Sequence, residues 1–82
     1  MSAWTQDGQV LRRTIEAPDF PTAIRIVDDV AVRAEEMNHH PDIDIRWRTL
    51  SFSLTTHDQG GVTELDHRLA AVIDTIATEH GA

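Results

Sequence analysis

Apolar and polar residues alternate along this chain with two periods, and the changes between them divide it into elements. From Val10 to Glu16, Leu11 and Ile15 share one parity with Arg13 between them, while Val10, Arg12 and Thr14 share the other. That alternation predicts a half-buried strand. The residues before it include Gln6, Asp7, Gly8 and Gln9, a turn-prone cluster without apolar period, and predict a loop leading into the strand. Pro18, Asp19, Phe20 and Pro21 then announce a helix. Asp19 is placed to accept from free amides of the first turn, and an early proline sacrifices no intrahelical hydrogen bond. Phe20, Ile24, Val27, Ala31, Ala34 and Met37 recur at threes and fours and share one helical face. Ile26 and Val30 add a second stripe, which predicts burial on two sides, the second cover being another subunit. Pro41 stops the helix, because proline disfavours the helical conformation in the preceding His40.

Beyond Pro41 the period becomes two, but its phase changes: Ile43, Ile45 and Trp47 are odd-numbered, whereas Leu50, Phe52 and Leu54 are even. One strand cannot keep a single apolar face across that change. A short hairpin turning near Arg48 and Thr49 is the simplest solution, with strands from Ile43 to Trp47 and from Leu50 to Thr56; a bulge is the alternative. Gly60 and Gly61 supply a flexible exit from the sheet. Thr63, with Asp66 three residues on, is close to a capping box. Leu65, Leu69, Val72, Ile73 and Ile76 form the apolar face of a last helix ending near His80 and Gly81. The order strand, helix, strand, strand, helix predicts an α+β fold, a small antiparallel sheet covered on one face by helices.

Length and charge narrow the function. The chain has 82 residues, room for one domain, and a domain this small buries a modest share of its surface, so self-association is an expected source of stability. With no cysteine there is no disulfide, thiolate nucleophile or thiolate metal site, and a reducing cytoplasm fits. Fourteen acidic against 7 basic residues give a net charge of −7, which disfavours nucleic acid as a direct ligand. No stretch approaches the roughly 20 apolar residues of a membrane span, and the N-terminus lacks the pattern of a secretion signal.

The chemistry gathers in the middle of the chain. His39 and His40 are adjacent, His57 follows beyond a strand, and imidazole alone titrates near neutrality without perturbation, at about 6.5. Adjacent residues at a helix end point in different directions, so one imidazole faces a reactant while the other orients it. If the sheet brings His57 close to His39, the two flank a small polar molecule as acid and base, a chemistry that needs no cofactor. On spacing alone a structural role is the commoner outcome, since histidines in a last helical turn complement the helix dipole. Three imidazoles are also a zinc set, but neighbouring His39 and His40 converge poorly. Glu35 and Glu36, near Arg33, read as a solvated helix face, and His67 and His80 as surface residues without partners. Trp47 is either a core indole or a wall on which a flat heterocycle stacks.

Glu35, His39, His40, Pro41, Trp47, His57 and Asp66 stand with three, none, none, five, nine and eight residues between successive members. This run resembles the signature of the pterin-4a-carbinolamine dehydratases, and the flanking Met37, Asn38, Thr55, Thr56 and Asp58 resemble that family too. The resemblance extends from about Val10 onward. It implies dehydration of 4a-hydroxytetrahydropterin to quinonoid dihydropterin, the recycling step of tetrahydrobiopterin-type cofactors after an aromatic amino acid hydroxylase. It further implies His39 and His57 as the proton-transfer pair, with His40 assisting or selecting between faces of the pterin. On the same resemblance Glu35 is expected to orient His39, Asp66 to support the site, and Pro41, Thr56, His57, Asp58 and Gln59 to form edges of the pterin pocket. No metal or other cofactor is implied, and homodimers or homotetramers are. Members of the family usually begin with a further helix, and this chain starts at about the point where that helix ends. The rival implication is a non-catalytic assembly protein or transcriptional coactivator on the same scaffold.

Overall fold

The computed structural model describes residues 3–82. Within them, β1 (Thr5–Asp7), β2 (Val10–Glu16), α1 (Phe20–Met37), β3 (Asp42–Arg46), β4 (Thr49–Leu54) and α2 (Glu64–Glu79) follow in order, with a short 3-10 turn at His57–Gln59 before α2. The strands form one antiparallel sheet in the order β1-β2-β4-β3, so β4 inserts between β2 and β3. The fold is α+β, as the patterning predicts.

β1 replaces the expected leading loop. Thr5 pairs with Arg12 and Asp7 with Val10, and Gly8 turns the chain in a left-handed conformation at φ 62°. Every residue of β1 is exposed, so no apolar alternation marks it in the sequence.

The phase change between β3 and β4 has a simple geometric cause. Arg46 pairs with Thr49 across the two-residue turn Trp47-Arg48. An even number of turn residues makes every odd position of β3 face an even position of β4, and Ile45 faces Leu50 while Ile43 faces Phe52. Ile15 meets Leu50 on the other side and Leu11 meets Leu54, so one apolar parity runs across the sheet. The turn falls one residue earlier than expected because Trp47 adopts a left-handed φ of 55°, rare for a bulky residue. Its indole is 70% exposed and lies under the Arg48 guanidinium, 4.7 Å from the ring centre.

On α1 the core takes the second apolar stripe whole and part of the first. Ala23, Ile26, Val30 and Ala34 are buried against the sheet and α2, with Val27 and Met37 half-buried beside them. Phe20 (46% exposed) and Ile24 (38%) face outward with Ala31. The face expected to lead is therefore split, with Phe20, Ile24 and Ala31 outward and Val27, Ala34 and Met37 inward, and the second stripe of Ile26 and Val30 lies wholly in the core. Asp19 caps the helix as predicted, accepting from the Thr22 amide at 2.8 Å; that contact holds its carboxyl below the usual range. On α2, Leu69, Ile73 and Ile76 reach the core, while Leu65 is exposed and its neighbour Asp66 is wholly buried. His80, expected to stand alone, meets Asp29 of α1 at 2.7 Å and links the two helices.

Candidate active site

The end of α1 determines where the histidines go. The helix stops at Met37, before the expected proline stop, because Asn38 takes a left-handed conformation (φ 51°) that asparagine tolerates better than most residues. The His39 amide then donates back to the Ala34 carbonyl at 3.1 Å, closing the helix end. His39 and His40 thus lie outside the last helical turn, and the dipole-complementing role does not apply to them. Beyond β4, Thr56 and Gly61 form an isolated bridge (Thr56 N–H to Gly61 O, 2.9 Å) that pinches off the 3-10 turn carrying His57, Asp58 and Gln59. Gly60 closes it at φ 70°. The Thr55 hydroxyl ties the same stretch to the β1–β2 turn by donating to the Gln9 carbonyl at 2.6 Å.

These two chain segments enclose a cavity of about 300 Å³, lined by Asn38, His39, His40, Thr55, Thr56, His57 and Asp58. All three imidazoles of the central run share it. His39 is largely buried, and its Nε2 lies 2.5 Å from Oδ1 of Asp66. Asp66 is 0% exposed, and its Oδ2 accepts from the Thr63 amide and the Thr56 hydroxyl, each at 2.8 Å. Burial pushes the Asp66 carboxyl up, but the hydrogen bonds from His39, Thr63 and Thr56 outweigh it and hold the group below the usual carboxylate range. His40 is exposed and meets Glu35 at 2.8 Å. The His57 ring is exposed and has no hydrogen-bond partner among the described residues. A cavity wall therefore carries one anchored imidazole, one steered by a surface carboxylate and one free to meet a ligand.

Several expected site residues sit elsewhere. Glu35 orients His40 and not His39, because the left-handed Asn38 swings His39 inward to Asp66. Trp47 is at the tip of the β3–β4 hairpin and does not line the cavity. Pro41 and Gln59 adjoin lining residues in sequence without lining it. Asn38 and Thr55, read in the sequence only as flanking residues that resemble the family, line the site, and Thr63, read only as a helix cap, supports it through Asp66. A larger hollow of about 380 Å³ lies between β1, β2 and α2, lined by Trp4, Gln6, Leu11, His67, Ala70, Ala71 and Asp74. It contains none of the central histidines.

The Pterin 4 alpha carbinolamine dehydratase family model matches residues 1–76. The chain belongs to this dehydratase family. A family relative in Roseiflexus sp. (strain RS-1), named "Putative pterin-4-alpha-carbinolamine dehydratase", is 53% identical over 76 residues, 93% of this chain and 82% of its own. One of the same name in Nocardia farcinica (strain IFM 10152) is 54% identical over 74 residues, covering 90% of this chain and 78% of its own. Among solved structures, a transcriptional coactivator/pterin dehydratase from Brucella melitensis superposes with a TM-score of 0.90 at 31% identity, over 93% of this chain and 83% of that one. A pterin dehydratase-like protein identified as a RuBisCO assembly factor in the alpha-carboxysome shares the fold at a TM-score of 0.80 and 20% identity, over 93% and 90% of the two chains.

Proposed function

We propose that this member of the dehydratase family converts a 4a-hydroxytetrahydropterin to the quinonoid dihydropterin and water by imidazole acid and base catalysis. One observation carries the reading: His39, His40 and His57 line a single cavity in which His39 is held by a buried carboxylate. In the reaction the C4a–O bond breaks as its hydroxyl takes a proton and leaves as water, while N5 gives up its hydrogen and forms the C4a=N5 bond. One positioned group must supply a proton and another must take one. His39 and His57 are the proposed pair. His40, steered by Glu35, assists or selects between pterin faces, and Thr55, His57 and Asp58 edge the bicycle. The cavity volume of about 300 Å³ is at the small end for ligand sites, as suits a two-ring substrate. The proposed setting is cytoplasmic recycling of a tetrahydrobiopterin-type cofactor by a one-domain homo-oligomer.

The test follows the absorbance of a 4a-hydroxytetrahydropterin with wild type, His39→Ala and His57→Ala. Each variant is expected to lose roughly 100-fold in kcat/KM, the lower range for a positioned acid or base. Equal rates for all three, no faster than buffer, overturn the enzymatic reading. They would favour a second one, a binding or coactivator role, which is supported by the double description of the Brucella protein.

A further inference from the structure

We infer that Thr56 is a positioning residue: together with Thr63 it anchors Asp66 so that His39 is held in one tautomer, protonated on Nε2, with Nδ1 left to accept a proton. The effect on rate rests on the dehydratase reading; the tautomer is a property of the folded protein and does not.

The assignment follows from counting donors. An ionised carboxylate only accepts hydrogen bonds. Asp66 Oδ1 lies 2.5 Å from His39 Nε2, so that nitrogen carries a hydrogen; the opposite tautomer sets two lone pairs against each other. Thr56 has a single hydroxyl proton, and it is directed to Asp66 Oδ2 at 2.8 Å. Its 2.7 Å contact with the Thr63 hydroxyl must therefore run from Thr63 to Thr56, a relay of two hydroxyls ending on the carboxylate. The Thr63 amide adds a second donor to Oδ2 at 2.8 Å.

Thr56 has little left for a ligand. Its amide donates to Gly61 O at 2.9 Å, its carbonyl accepts from the amides of Gln59 at 3.1 Å and Gly61 at 3.3 Å, and it is only 7% exposed. A residue expected at the pocket's edge therefore spends its donors on the support beneath His39.

Because both donors address Oδ2, the arrangement makes an unusual demand on Asp66→Asn. The amide oxygen belongs where the Thr56 and Thr63 donors point, which turns the NH2 toward His39. Nε2 must then accept, and the ring proton moves to Nδ1.

Long-range 1H–15N NMR on protein labelled at histidine, at about pH 8.5 and above the ordinary imidazole range, reads this directly. Wild type is expected to show His39 protonated on Nε2, and Asp66→Asn to show it protonated on Nδ1. Thr56→Val is expected to lower kcat roughly tenfold, the order of one hydrogen bond, with KM within about twofold, and Thr56→Ser to restore both. A wild-type ring protonated on Nδ1, an Asp66→Asn ring still protonated on Nε2, or a Thr56→Val enzyme with raised KM at unchanged kcat each overturns the inference. If Thr56→Val does not fold, the near-isosteric Asp66→Asn decides. If wild type turns over no 4a-hydroxypterin, the dehydratase reading falls while the two NMR spectra still judge the network.

Discussion

The two oxygens of Asp66 serve different elements: Oδ1 takes the His39 ring that follows α1, and Oδ2 takes the cap of α2 and the end of β4. A carboxylate with no exposure persists only because all of these donors reach it. Its acidity carries a sign. The folded-state value lies below the ordinary 3.8, so between the two values the unfolded chain binds more protons and stability rises with pH. The contribution is complete above the unfolded value and is lost as pH falls through the folded one. Urea unfolding measured at steps from about pH 5 to about pH 2 is expected to show a steeper acid loss for wild type than for Asp66→Asn. Parallel curves would count against Asp66 as a source of acid sensitivity.

At the scale of elements, the sequence is legible where periodicity and punctuation coincide. β2 has its expected bounds, α2 starts after Thr63, and the parity switch from Ile45 to Leu50 announces the hairpin. What periodicity misses has physical causes. β1 has only exposed residues and is held by backbone pairing, which leaves no trace in hydrophobicity. On α1 the large Phe20 and Ile24 mark an apolar face by their size yet point outward, whereas the small Ala23 lies buried beside Ile26 and Val30 and allows close approach. In the site, Asp66 is readable as a cap, whereas its bond to His39 spans 27 residues and depends on the left-handed turn at Asn38. The helix faces make an explicit contrast. Ile26→Ala should cost about 2–5 kcal/mol, the usual range for emptying a core site, and Ile24→Ala less than about 1 kcal/mol, as expected for a partly exposed position. Chemical denaturation of the two variants checks this, and equal losses would mean that Ile24 is covered in solution.

For the whole molecule, the outward Phe20, Ile24 and Val32 of α1 bear on the expected self-association. The chain's net charge of −7 opposes indiscriminate association through them. No helix among the described residues is long and apolar enough to cross a membrane, so these side chains do not belong to a spanning helix. Light scattering at micromolar concentration is expected to give a dimer or tetramer mass, and a monomer mass would remove self-association as a source of stability for so small a chain.

Sharing one buried carboxylate between a helix cap and a histidine also fixes how the protein fails. The first turn of α2 is a place where helices ordinarily fray, and each opening there that draws Asp66 away also releases the ring of His39. On the proposed dehydratase reading, turnover is therefore expected to decline on gentle warming before the circular dichroism of the sheet changes, and coincident losses would count against this coupling.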